Sequence, residues 1–477
     1  MRKIVLVLLM IVNIAYCELW MPSIFGDRMV LQSGQPVRVW GKAAAGDNVS
    51  VRFAGQEKTA KAGDEGKWNV VLDPMKADIQ GSVMKVSSDL QASCLEFKDV
   101  LVGEVWVLAG QSNMGWPLDK CDGGKEAAAD ANYPWLRVFE QWPYQGASDK
   151  EAQDVKGGHW SICDPGKAAE LSGVGFFFAR ELHGRLGEYI PVALINTAMG
   201  GTYAECWIDA HTLENTPSAQ PFVLKAAREI KPGSFDAKGY WGEENFRRPS
   251  ALYNGKVAPI SPFAVKGVLW YQGEGNSQKW LADAYEQTLT ALIKSWRDSW
   301  NRNDLPFIIV QLPRFDAGAG NDWPAVRAAQ SKAADSIEGV ELAVTIDCGY
   351  KDQIHPADKE PVGRRLALLA HNKIYGQAVA CEGPVLKTFT IDKDSVTAEF
   401  NNGEGLFFKD GKVNGFEICG SDGMFVAANA EIIDDGRVRI FSGSVQQPTA
   451  VRYGWFNWGQ VSLFNAHGLP AAPFTTK

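Results

Sequence analysis

The sequence predicts an α/β protein: a parallel-sheet domain flanked by two all-β regions. Three observations carry that expectation. Continuously apolar strand-like runs recur through the middle of the chain: Val100 to Ala109, Pro191 to Ile195, Val265 to Trp270, Phe307 to Gln311 and Val340 to Ile346. Helical periodicity separates them, and strands alternating with helices imply a parallel sheet covered on its faces. On either side the pattern changes to short alternating runs with Gly and Asp turns and no helical period.

The chain has 477 residues, too many for one ordinary core. Hydrophobic content of 45% and charged content of 22% are those of a globular protein. A net charge of -8 excludes the basic footprint of a nucleic-acid binder. Arg2 and Lys3 precede an apolar run from Ile4 to Val12 that is too short to span a bilayer. Residues 1–17 therefore read as an export signal, with cleavage before Glu18 and lipidation of Cys17 both open. The expected location is periplasmic or secreted, and no later segment offers a transmembrane span.

Residues 18–99 read as an N-terminal β-domain of sandwich type, with strands at Gln35–Gly41, Asn48–Phe53 and Gly66–Leu72. Residues 100–378 read as the α/β domain, with helices at Phe176–Leu186, Ala282–Trp300 and Pro361–Tyr375. Its stretch from 204 to 262 is long for a connection and reads as an insertion at the rim of a site. Residues 379–477 return to β, with strands at Ser395–Phe400, Gly405–Phe408 and Val438–Phe441. Seven cysteines follow residue 17, widely scattered and with no CxxC. An odd number leaves at least one free thiol, one or two disulfides remain open, and no metal-ligand spacing appears.

Ser112 is the most informative residue. It closes Val105-Trp-Val-Leu-Ala-Gly-Gln-Ser-Asn-Met114, a buried strand running into a small polar turn. Such a turn presents a hydroxyl at the carboxyl end of a sheet, where open α/β folds keep their sites. Asp352-Gln-Ile-His-Pro356 places a carboxylate three positions before a histidine. A serine hydroxyl needs a base to take its proton, and the base needs an acid to orient it. Ser112, His355 and Asp352 supply these in that order. Two further strands end in polar turns, Ile195-Asn-Thr-Ala-Met-Gly-Gly-Thr202 and Leu269-Trp-Tyr-Gln-Gly-Glu-Gly-Asn276. Glycines there let a backbone N–H face a ligand, and Glu274 can anchor its loop.

Together with Pro249-Ser-Ala-Leu-Tyr-Asn-Gly255, Phe25-Gly-Asp-Arg-Met-Val-Leu-Gln32 and Asn465-Ala-His-Gly-Leu-Pro-Ala-Ala-Pro-Phe474, these segments make the chain resemble the sialate O-acetylesterase family of SGNH-type esterases. The resemblance implies a three-layer α/β/α SGNH-hydrolase domain with flanking sandwich-like β regions, and no metal or other cofactor. It implies Ser112 as nucleophile, His355 as base and then acid, and Asp352 as the orienting group. The oxyanion would be held by the N–H groups of Ser112 and Gly201 and by an amide from either Gln272 or Asn276. Gln111, Trp116, Trp207, Trp270, Glu274 and Arg247 are the candidate substrate contacts, Arg247 because a guanidinium suits a sugar-acid carboxylate. Gly275 departs from the family, which has Ser there. The implied substrate is an O-acetylated sialic acid, the 9-O-acetyl group foremost. An acetylated xylan or other polysaccharide is the near alternative. A non-catalytic glycan-binding protein is the alternative of a different class.

Overall fold

The computed structural model describes residues 18–90, 93–141, 146–229 and 246–477. The expected export signal at residues 1–17, with Cys17, lies outside the described residues.

One strand organises the molecule. Ser93–Gly110 runs for 18 residues, and its two halves serve different sheets. The first half alternates half-buried and exposed residues and pairs antiparallel with Asp78–Ser88. The second half is buried at every position from Val100 to Gly110 and pairs in parallel on both sides. Alternation suits a sheet with one wet face, and the continuous apolar run suits a strand covered on both. The switch comes at Asp99, which takes a left-handed φ of 56°. Its carboxylate accepts a 2.7 Å bond from the buried Arg137. The expected boundary at residue 99 is thus a bend inside a continuous strand, and one apolar core extends across it.

The central sheet has the order Val340–Ala343, Phe307–Val310, Gly267–Tyr271, Ser93–Gly110, Val192–Asn196, Tyr133–Glu140, His159–Cys163. All neighbours are parallel except the last pair. Helices pack in two pairs, Gly173–Leu186 with Glu360–Leu369 and Tyr285–Trp300 with Trp323–Ser336. The fold is therefore mixed α/β, with a central mixed sheet and several smaller β-sheets. Asp322 caps the helix Trp323–Ser336 by accepting from the Ala325 N–H at 3.0 Å. That helix was missed in the sequence, although Asp322 followed by Pro324 and by apolar Val326 and Ala329 is a start signal. The last two strands of the sheet, at 133–140 and 159–163, were also missed.

The expected N-terminal strands form at Val37–Lys42, Asn48–Phe53 and Lys67–Leu72, each with its alternate residues buried. Beyond residue 379 two four-stranded sheets and a two-stranded one surround a second core built on Val396, Ile418, Val438, Ile440, Val451 and Tyr453. The insertion holds short helices at Ala210–Glu214 and Gln220–Glu229 and a π-helical turn at Tyr253–Val257. All seven cysteines among the described residues are free, and all but Cys94 are buried, so no disulfide forms among them. No described helix is long and apolar enough to cross a membrane.

Candidate active site

Three adjacent strands deliver three turns to one edge of the sheet. Tyr271 lies opposite Gly110, and Asn196 lies opposite Leu108. The turns that follow are tied to one another by backbone bonds. The Gln111 N–H reaches the Tyr271 carbonyl at 3.0 Å, and the Met199 N–H reaches the Gly110 carbonyl at 3.0 Å. Gly110 adopts φ 118°, and a methyl group there would lie 2.1 Å from the Tyr271 carbonyl oxygen. Left-handed backbone and steric contact act together, so Gly110→Ala is expected to destabilise the fold by about 3 kcal/mol or more. Chemical denaturation of the variant measures it. A second tie comes from Ser172, the N-cap of Gly173–Leu186. Its hydroxyl accepts from the Gly175 N–H at 3.0 Å and donates to the Met114 carbonyl at 2.5 Å.

The fourth segment arrives from the edge of the sheet. After Val340–Ala343 the chain returns over the strand ends, and His355 Nε2 comes to 2.7 Å from Ser112 Oγ. Both residues are half-buried. The imidazole lies flat on Trp116, with ring centroids 4.3 Å apart and planes 15° from parallel. Burial, and then the nearby Lys359 ammonium, hold its pKa below the ordinary 6.5. A neutral imidazole in contact with a hydroxyl is the arrangement general-base activation requires.

Asp352 sits differently from the expectation. It is exposed on the turn, and no hydrogen bond among the described residues joins it to His355. The D-x-x-H spacing puts both residues on one turn, and that turn is pinned by a bridge between Tyr350 and Gln353. Stacking on Trp116 restrains the imidazole in place of a carboxylate bond.

The third turn requires a correction. Gln272 and Asn276 are both fully buried, and their amides are already spent. Gln272 Nε2 donates to the Thr202 carbonyl at 3.2 Å and to Asn276 Oδ1 at 2.8 Å, while its own oxygen accepts from the Tyr285 hydroxyl at 2.8 Å. Asn276 Nδ2 donates to both oxygens of Glu205, at 3.2 and 3.0 Å. Burial pushes the Glu205 carboxyl up to about 7. This network braces the second and third turns against each other, holds both amides on buried partners, and leaves Gln272 no proton for an oxyanion. The N–H groups of Ser112 and Gly201 have no acceptor among the described residues.

The remaining candidates divide in the same way. Trp116 is at the site. Trp207 and Trp270 are not: both are wholly buried, they cross edge-to-face at 6.1 Å, and Trp207 Nε1 bonds Thr202 Oγ1 at 3.1 Å. They pack the core behind the turns instead of lining a pocket. Gln111 is buried and accepts from the Gly275 N–H at 3.3 Å, which makes it a link between turns. Glu274 is buried and accepts from Asn113 Nδ2 at 2.5 Å, so it anchors its loop as expected of it. A methyl group on Gly275 would lie 2.5 Å from the Thr202 carbonyl oxygen. The glycine therefore buys a closer approach of the second and third turns than a serine allows. Arg247, although distant in sequence, comes to the second turn: a methyl group on Gly201 would lie 2.9 Å from its Nη2. Arg248 instead pairs with Asp149. The sequence did not single out Asn113 or Lys359. Lys359 Nζ donates to Asn113 Oδ1 at 2.6 Å, and burial lowers its pKa to about 8.

Comparison with known proteins places the chain in a family. Residues 102–370, more than half of the chain, match the family model described as carbohydrate esterase, sialic acid-specific acetylesterase. The sialate O-acetylesterase of Rattus norvegicus is 30% identical over 519 residues, covering 95% of this chain and 94% of that protein. The sialate O-acetylesterase of Homo sapiens is 29% identical over 497 residues, covering 95% of this chain and 91% of that one. Among solved structures, a carbohydrate acetylesterase from Xanthomonas citri superposes with a TM-score of 0.84 at 35% identity, covering 96% of this chain and 99% of its own. The chain belongs to the sialic acid-specific acetylesterase family of carbohydrate esterases, and it is a carboxylic ester hydrolase.

Proposed function

We propose that this chain removes O-acetyl groups from sialic acids, the 9-O-acetyl group foremost, through an acetyl-serine intermediate on Ser112. The observation that carries the reading is the 2.7 Å contact between Ser112 Oγ and His355 Nε2. His355 takes the hydroxyl proton as Ser112 attacks the acetyl carbonyl. The N–H groups of Ser112 and Gly201 receive the oxyanion, as preorganised donors at developing charge. His355 then protonates the departing sugar oxygen, and water attacks the acetyl-serine to free acetate. Asp352, exposed on the same turn and unbonded to His355 among the described residues, serves as the orienting acid only by turning inward during turnover. The chemistry runs in an α/β/α hydrolase domain, and the leader at residues 1–17 sends the enzyme to the periplasm or beyond.

The guanidinium of Arg247 beside Gly201 supports a sugar acid over a neutral polymer, because it sets a cation next to the reacting ester. Acetate release from an O-acetylated sialic acid and from acetylated xylan tests the reading. Release from the sialic acid supports it, and release from xylan alone moves the substrate to a neutral polysaccharide. Arg247→Ala is expected to lower kcat/KM on the acetylated sialic acid by about 10–100-fold, the worth of a charge-assisted bond. The same variant should leave p-nitrophenyl acetate turnover within about threefold, since that ester has no carboxylate to hold. Equal losses on both esters would remove the carboxylate assignment.

A further inference from the structure

The roles proposed for Ser112 and His355 leave a buried cation beneath them without a task. Lys359 follows His355 by four residues and is wholly buried. An isolated ammonium loses several kcal/mol of hydration on burial and ordinarily demands a carboxylate partner. No ion pair to Lys359 forms within 4.0 Å among the described residues. Its Nζ instead donates to Asn113 Oδ1 at 2.6 Å and rests 5.3 Å from the centroid of the Tyr271 ring.

The other end of the same amide faces negative charge. Asn113 Nδ2 donates to Glu274 Oε1 at 2.5 Å and to the Ile354 carbonyl at 3.0 Å. Cation on the oxygen and carboxylate on the nitrogen fix the amide in one orientation, because a flip would set donor against donor and acceptor against acceptor. The three partners matter by their positions. Asn113 follows Ser112, Ile354 precedes His355, and Glu274 belongs to the third turn. One buried side chain therefore joins the nucleophile turn, the histidine turn and the third turn.

We infer that Lys359 is a positioning residue, which acts through Asn113 to hold the Ser112 turn and the His355 turn in register for proton transfer. The clamp does work that an orienting acid does elsewhere, which fits the exposed position of Asp352. The ammonium also disfavours the imidazolium and so acts on the pH range in which His355 is neutral. Of charged groups, only Lys359 acts appreciably on His355. Asp358 and Glu274 act on Lys359 in turn.

The inference rests on the proposed roles of Ser112 and His355, and it is tested on p-nitrophenyl acetate with Lys359→Met, Asn113→Ala and the double variant. Each single variant is expected to lower kcat by about 10–100-fold with little change in KM, the effect of a small misplacement of reacting groups. The double variant is expected to be no worse than Asn113→Ala, since both remove one linkage. The acidic limb of kcat/KM should move to higher pH in Lys359→Met. If Lys359→Met melts below the assay temperature, Glu274→Met, which removes the acceptor of the Asn113 amide at the other end of the linkage, should show the same kcat loss. Folded variants with unchanged kcat, or losses that multiply in the double variant, overturn the inference. Full activity in Ser112→Ala is a separate failure, of the nucleophile assignment itself.

Discussion

Ser112→Ala is expected to lower kcat for acetyl ester hydrolysis by about 10⁴–10⁶-fold, with the fold intact. The size of the loss follows from what the residue does. Under the proposed acetyl-serine mechanism, removing the hydroxyl deletes the covalent route, and what remains is hydrolysis by water with help from the N–H donors. The substitution takes away one half-buried oxygen whose side-chain hydrogen bond is to His355, so unfolding free energy should change by less than about 1 kcal/mol. Acetate release and the burst of p-nitrophenolate in the first turnover measure it. Retention of the burst would exclude Ser112 as the acylated residue.

His355→Ala is expected to cost about as much, because a serine without its base is a poor nucleophile. The pH dependence carries a sign that can be checked. The base works when neutral, so kcat/KM falls as pH falls through the His355 pKa. Burial and the neighbouring Lys359 hold that pKa below 6.5, so the midpoint of the acidic limb should lie below pH 6.5. The structure also orders the partners. His355 is in contact with Ser112, whereas Asp352 is exposed and forms no bond to the imidazole among the described residues. Asp352→Ala should therefore cost clearly less than His355→Ala. Equal losses in a pH-rate series would show that the carboxylate reaches the imidazole during turnover.

Much of the site was legible before any coordinates because its signals are local. A strand that stays apolar to its last residue and then reads Gly-Gln-Ser-Asn can only end at a polar edge. Two more such endings, at Asn196 and Tyr271, belong to strands that proved to be its immediate neighbours. The alternating N-terminal strands were legible for the same reason, since one wet face imposes a period of two. The helix Trp323–Ser336 escaped because it lies next to a long loop and its apolar face is carried by small alanines, which weaken the periodic signal. The last two strands of the sheet, at 133–140 and 159–163, escaped because neither is apolar throughout and their mutual pairing is irregular.

What the sequence determined by itself was the fold class, the family, and the identities of the serine and the histidine. Each follows from chemistry written in a few consecutive residues. Tertiary structure alone decided the use of every longer-range group. It spent Gln272 and Asn276 on the scaffold, sent Trp207 and Trp270 into the core, and brought Arg247 to Gly201. It also buried Lys359 against Asn113, which lies 246 positions away in the chain. A polar side chain takes its role from the partner it meets after folding. Strand order and loop return fix that meeting, and neither is encoded within reach of the residue itself.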